Sequence, residues 1–254
     1  MSTRLVVVHP DPTVLAEAAA ARLLIRILDV QSVRRPVHVV LTGGTVGIKT
    51  LAAAASSPLR AAVDWSGVHL WWGDERFLPA GDADRNETQA REALLDDLVA
   101  SSGLPARNIH AVLPHGDAAD EASTPEEAAA SYVAELATFA SDGAAAPSFD
   151  VLLLGMGPDG HVASLFPEHP ALAAAGSVVA VHDSPKPPSE RVSLTFATIG
   201  LAREVWVVAA GAEKAAQAAA ALADGPVTQV PAVRAVGHDR TLWLLDAAAA
   251  SGRD

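Results

Sequence analysis

The chain contains no cysteine. That excludes disulfides, thiolate-held metals and a cysteine nucleophile, and it accords with a reducing compartment. Aromatic residues are scarce, with five Trp, five Phe and one Tyr in 254 residues, so aliphatic side chains must fill the core. A basic excess is also missing. The formal net charge is −12, which argues against nucleic acid or an anionic membrane as partner. No apolar run is long enough to span a bilayer, and the one within residues 1–10 is too short for a signal peptide. The expectation is a soluble, cytoplasmic protein with no obligatory protein partner evident. Several catalytic signatures are absent too: GxSxG, HExxH and GxxxxGK[ST] do not occur. The nine histidines are scattered without ligand spacing, so no metal is expected.

Half of the residues are apolar, alanine supplying much of that fraction, and they fall into an alternating order. Strands are predicted over residues 4–8, 37–41, 68–72, 150–154, 178–181, 192–195, 205–209 and 242–245. A helix follows Asp11-Pro12, an N-cap with Pro at the first helical position, and runs to about residue 30. Others are predicted from the turn at 42–45 to about 55, over 87–98, from the capping box at Thr124 to about 141, and over 213–222. Strand and helix in alternation predict an α/β fold: a mostly parallel sheet with helices on both faces, a Rossmann-like three-layer sandwich. No repeat or strong linker divides residues 1–254, which are read as a single domain.

In such sheets ligands bind beyond the carboxyl ends of the strands, and three polar clusters fall there. The first is Thr42-Gly43-Gly44-Thr45. Paired glycines let backbone N–H groups approach an anion at a helix N-terminus, and the threonines add hydroxyls; the alternative is a plain tight turn. Lys49 lies in the following helix with no Walker glycine before it. The second is Asp74-Glu75-Arg76, followed by Asp82, Asp84 and Asn86. Charged groups at the end of an apolar strand are costly to bury unless paired, so these are candidates for substrate contact or, alternatively, a surface ion pair. The third is the stretch DVLLLGMGPDGHVASLFP over residues 150–167. His161 follows a three-glycine turn near an expected helix start, where the helix dipole favours the neutral ring a general base needs. Asp159 could orient it or offset that effect. The literal GxGxxG here opens too short a helix for a dinucleotide site, and Pro158 and Asp159 stand where a pyrophosphate would lie. Ser164 is read as capping or packing rather than as a nucleophile.

TGGT after the second strand, WWGDERFLP with a downstream DxDxN, LGMGPDGHVASLFP and PKPPSERVSLT occur in that order. Together they resemble the 6-phosphogluconolactonase family over nearly the whole chain, a family related to glucosamine-6-phosphate deaminase-like folds. The resemblance implies cofactor-free hydrolysis of a small phosphorylated sugar lactone, 6-phospho-D-glucono-1,5-lactone. It implies that Gly43, Gly44 and Thr45 line the phosphate or sugar site. Arg76, Arg191 and Lys214 would be the basic contacts, Lys186 a further substrate contact, and Asp74 and His161 the catalytic positions. The family's first loop commonly reads SGGSTP; here its hydroxyls persist and its proline does not.

His161 would take a proton from the attacking water and return it to the departing ring oxygen. Backbone N–H groups of the 155–160 turn, or Arg76, would stabilise the oxyanion. Two alternatives stay open. One is an aminosugar-phosphate deaminase or isomerase on the same fold; the deaminase carries a carboxylate five residues after its histidine, where this chain has Phe166. The other is a sugar-phosphate sensor without catalysis.

Overall fold

The computed structural model describes residues 3–141 and 143–252. In chain order the strands are β1 (Thr3–His9), β2 (Val37–Leu41), β3 (Val68–Trp72), β4 (Asp74–Arg76), β5 (Val151–Gly155), β6 (Val178–Val181), β7 (Arg191–Leu194), β8 (Glu204–Ala209) and β9 (Arg240–Asp246). Six of them form one sheet in the order β1-β9-β8-β5-β2-β3, with every neighbouring pair parallel. The helices are α1 (Pro12–Gln31), α2 (Gly44–Ser56), α3 (Asn86–Ala90), α4 (Asp96–Ser101), α5 (Pro125–Thr138), α6 (Phe196–Ile199) and α7 (Ala215–Leu222). A π-helical stretch, Arg91–Leu95, joins α3 to α4.

The local chemistry explains these bounds. Asp11 accepts from the N–H groups of Thr13 and Val14 at 2.8 and 2.9 Å, and Pro12 occupies the first helical position. Thr124 accepts from Glu127 N at 3.2 Å while the Glu127 carboxylate reaches back to Ser123 N at 2.9 Å, a capping box displaced by one residue. Every residue of β2 is buried, as a strand covered on both faces requires. Val37, Val39 and Leu41 face a core shared with α1 and α2. Val40 faces the other core, built with α5, α7 and the smaller sheet.

The strands predicted at 178–181 and 192–195 form, outside the parallel sheet. They are β6 and β7 of a separate antiparallel sheet, ordered β4-β7-β6. The helix expected to begin at His161 does not form. Val162 makes isolated bridges to Met156 and Leu165, and Ala163 takes a left-handed φ of 50°, which interrupts a right-handed helix. Shorter offsets occur at α5, which ends at Thr138, and at α7, whose expected first turn is a 3₁₀ segment, Ala212–Lys214.

The amino end of the sheet carries its own buried polar cluster. Asp150 accepts from His38 N at 3.0 Å and from the Arg34 guanidinium, and burial pushes its carboxyl up from the ordinary value. Trp71 Nε1 donates to His38 Nδ1 at 3.1 Å; His69 Nδ1 and His110 Nε2 share a proton at 2.9 Å; His110 Nδ1 meets Glu135 at 2.6 Å. Burial, reinforced by the neighbouring histidines, depresses His38 to about 3 and His69 to about 4, and burial lowers His110 against the pull of Glu135. The unfolded chain therefore takes up protons below about 6.5 that the folded chain refuses. This stability is present above that value and is lost as pH falls. The urea midpoint is expected to drop between about pH 7.5 and about pH 5, less steeply in His69→Asn. A flat midpoint across that window would show that these rings are not buried neutral.

Candidate active site

A cavity of about 500 Å³ opens where five of the six parallel strands end. Pro12 follows β1; residues 42–47 follow β2; Asp74 and Arg76 follow β3; Gly155, Gly157 and His161 follow β5; Ala210 and Gly211 follow β8. Lys186 and Arg191 close the cavity from the antiparallel sheet. This is the position the parallel-sheet rule assigns to a ligand.

The first loop is a clasp before it is a binding surface. Thr42 Oγ1 accepts from Gly155 N at 3.0 Å, joining the ends of β2 and β5. Gly43 lies against Asn86, and a Cβ there would stand 1.8 Å from Asn86 Oδ1. Gly44 takes φ +77° at the start of α2, which only glycine adopts freely. Thr45 is exposed in the first turn of α2, where unpaired N–H groups and the helix dipole favour an anion. Lys49 also lines the cavity. It was not among the expected contacts, although its four-residue spacing from Thr45 places both on one helix face.

The second cluster divides. Asp74 and Arg76 line the cavity and Glu75 does not. Glu75 is 1% exposed and accepts from the N–H groups of Arg76, Asn86 and Glu87 at 2.8, 2.7 and 2.8 Å. Burial pushes its carboxyl up to about 7 against the Arg85 guanidinium, 3.9 Å away, and these donors. Neither substrate contact nor a surface ion pair describes it. Asn86 lines the cavity, donates from Nδ2 to Asp74 O at 2.8 Å, and leaves Oδ1 buried without a partner. Ser164, fully buried, donates to Asp74 Oδ2 at 2.7 Å, so it anchors a carboxylate. Arg76 donates from Nη1 to Asp84 O, and its buried Nε has no partner. In the β4–β7 register Arg76 stands directly opposite Arg191.

At the third cluster, His161 Nδ1 lies 2.5 Å from Asp159 Oδ1. Lys186 Nζ lies 3.2 Å from that same oxygen and 3.2 Å from His161 Nδ1. Burial raises the Asp159 carboxyl, but the His161 hydrogen bond and the charges of His161 and Lys186 reverse this and hold it well below the usual carboxylate range. An ionised carboxylate beside Nδ1 fixes the proton there. Nε2 is left without a partner among the described residues, on a ring that lines the cavity. The ring packs on Phe166 with centroids 4.5 Å apart. The N–H groups of Gly155, Gly157 and Gly160 are already engaged, by Thr42, His161 O and Gly157 O. The expected oxyanion donors in that turn are thus largely spent.

Arg191 is anchored by its own loop. Nε donates to Pro188 O at 3.2 Å, and Nη2 to Lys186 O and Pro187 O, both at 3.1 Å. Nη1 is 4.0 Å from Asp74 Oδ2. Lys214 lines the cavity without an ion-pair partner among the described residues. Burial lowers its pKa; Glu213 opposes that and the Lys186 charge adds to it. The structure thus gathers every expected site residue at the cavity wall except two. Glu75 is buried beside it, and Asp159 acts on it through His161 and Lys186.

A family model described as glucosamine-6-phosphate isomerases/6-phosphogluconolactonase matches residues 10–243. A Streptomyces coelicolor protein named 6-phosphogluconolactonase is 54% identical over 252 residues, covering 96% of this chain and 93% of that one. A Mycobacterium tuberculosis protein of the same name is 43% identical, with 96% of each chain covered. Among solved structures, the 6-phosphogluconolactonase of Trypanosoma brucei is 31% identical and superposes with a TM-score of 0.78 over 99% of both chains. A monomeric glucosamine-6-phosphate deaminase, 17% identical with a TM-score of 0.76, shares the fold.

The fit of Gly43 against Asn86 can be measured. Gly43→Ala is expected to destabilise the protein by about 1–3 kcal/mol, the usual cost of overpacking a tight site. Adding Asn86→Ala to the same chain should recover most of that, since the clashing amide is gone. Unfolding of Gly43→Ala at the wild-type urea midpoint would contradict the packing described.

Proposed function

The chain belongs to the glucosamine-6-phosphate isomerase/6-phosphogluconolactonase family, and from that membership we infer that it hydrolyses 6-phospho-D-glucono-1,5-lactone to 6-phosphogluconate. It is a carboxylic ester hydrolase acting on a sugar-phosphate lactone, the step that opens the ring in oxidative pentose phosphate metabolism. The observation that carries the mechanism is the Asp159–His161 pair, which engages Nδ1 and leaves Nε2 free at the cavity. Water attacks the lactone carbonyl carbon while Nε2 takes its proton. As the tetrahedral intermediate collapses, the bond from the carbonyl carbon to the ring oxygen breaks. The imidazolium then returns the proton to that oxygen, which becomes a hydroxyl. No step draws on a metal or a cofactor.

With the N–H groups of Gly155, Gly157 and Gly160 engaged, the oxyanion falls to Arg76. Asp74, held through Oδ2 by Ser164, keeps Oδ1 to accept a hydrogen bond from the water or a sugar hydroxyl. Lys214, Arg191 and the N-terminus of α2 supply the charge that a phosphate requires in a chain of net charge −12. The deaminase alternative lacks its carboxylate: Phe166 stands at that position, buried beneath the His161 ring. No helix among the described residues is long and apolar enough to cross a membrane; the cytoplasmic reading rests on the substrate class.

The deciding experiment is a coupled assay on freshly generated lactone, with spontaneous hydrolysis subtracted. His161→Asn should lower kcat by about 10²–10⁴-fold while 6-phosphogluconate binds as before, because an amide hydrogen-bonds but accepts no proton. Near wild-type kcat in that variant would place the base elsewhere, and tight binding without turnover in the wild type would favour the sensor.

The phosphate contacts predict a second result. Lys214→Ala should raise KM for the phosphorylated lactone about tenfold or more, and barely affect unphosphorylated gluconolactone. Arg191→Ala should act in the same direction, but it also releases the 186–188 loop, so Lys214 gives the cleaner measurement. Equal effects on both lactones would remove Lys214 from the phosphate site.

A further inference from the structure

Lys186 sits differently from the other cations of the cavity. Its Nζ lies 3.2 Å from Asp159 Oδ1 and 3.2 Å from His161 Nδ1, whose own separation is 2.5 Å. Its backbone is fixed from two sides. Lys186 O accepts from Ser184 Oγ at 2.9 Å and from Arg191 Nη2 at 3.1 Å, and Lys186 N donates to Ser184 Oγ at 3.3 Å. The ammonium is therefore delivered to the dyad by an anchored loop.

Asp159 orients the ring and stabilises the imidazolium that forms in the reaction, but its charge also acts on the resting ring. A carboxylate in contact with Nδ1 favours the imidazolium, and an imidazolium cannot take a proton from water. The ammonium supplies the counterweight. It shares the carboxylate oxygen, and with the Nδ1 proton directed at Asp159 it meets the ring as donor against donor, a contact that worsens when the ring gains charge. We propose that Lys186 is a positioning residue that acts through Asp159 and His161, holding the imidazole in its neutral, proton-accepting form. The proposal rests on the reading of His161 as the base.

Other charges face this group, and none touches both members of the dyad. Lys214 and Glu213 approach from the segment before α7. Arg191 of β7 reaches it only across Phe166, with its guanidinium 5.6 Å from the centroid of the ring on which His161 packs. Asp74 of β4 is paired with Ser164 and lies nearer Arg191. His169 packs edge-on to Phe166, 6.4 Å between centroids. Lys214 and Arg191 add positive potential, Glu213 and Asp74 subtract it, and Lys186 alone makes the short contacts.

The test is the pH dependence of kcat/KM in Lys186→Met and Lys186→Arg. Without the ammonium, Asp159 acts unopposed and protonates the ring at higher pH. The acid limb of Lys186→Met should move upward by about one pH unit, the usual effect of a close charge. The loss of rate should be largest on that acid limb and smallest at high pH. Lys186→Arg should return the limb close to its original place. The ratio of KM values for phosphorylated and unphosphorylated lactone should not change. An unmoved limb with a raised KM for the phosphorylated lactone would make Lys186 a phosphate contact and overturn the proposal; so would a uniform loss of rate at every pH. A second readout needs no turnover: the ring Cε1 proton resonance of His161, identified by its loss in His161→Asn, should titrate at higher pH in Lys186→Met. An unmoved midpoint there would also overturn it. Full activity in His161→Asn would instead sink the assignment of the base, while the ring titration would still judge Lys186.

Discussion

The buried carboxylate of Glu75 organises the wall of the active site. It receives the N–H of its own neighbour Arg76 and those of Asn86 and Glu87, eleven and twelve residues further along the chain. The last two belong to the first turn of α3, whose N–H groups have no partner within the helix. A strand end is thereby stitched to a helix start, and the chain between them becomes a closed excursion. Asn86, placed by this stitch, holds the Asp74 carbonyl and fills the space left by Gly43. The segments around Gly43 and Asp74 thus meet at the Asn86 side chain, whose backbone is fixed by a carboxylate that does not line the cavity.

The two ends of the parallel sheet treat polar groups in opposite ways. At the amino end, Asp150, His38, His69 and His110 are satisfied by one another and by Arg34, Trp71 and Glu135. At the carboxyl end, Asn86 Oδ1 and Arg76 Nε are buried and unpartnered, and Lys49 and Lys214 line the cavity without ion pairs among the described residues. Buried polar groups are ordinarily paired. Among the described residues, two of the four buried side-chain atoms without a partner belong to this cavity wall, where a ligand can supply one.

Much of this was legible in the sequence because it depended on local rules. Alternating apolar runs announced the sheet, Asp11-Pro12 and Thr124 announced helix starts, and the polar clusters fell at strand ends where the topology puts a site. What escaped depended on distant partners. The VASLF run after Gly160 has helical composition, but Val162 finds bridge partners at Met156 and Leu165, and Ala163 turns left-handed. Glu75 reads like its charged neighbours until its N–H donors are known. Ser164 gives no sign that it fastens a carboxylate ninety positions away. Lys49 was set aside as the wrong lysine for a phosphate loop, although its spacing from Thr45 held the information.

The register of the small antiparallel sheet has a further consequence. Arg76 and Arg191 are cross-strand partners, an arrangement that destabilises a sheet when both residues carry the same charge. Asp74, 4.0 Å from Arg191, outweighs the Arg76 charge there, and Glu75 adds to it. Two like charges are thus held side by side by carboxylates of one strand. Asp74, Arg76 and Arg191 belong at once to this sheet and to the cavity wall, so a change of charge at any of them acts on strand pairing and on the cavity's field together.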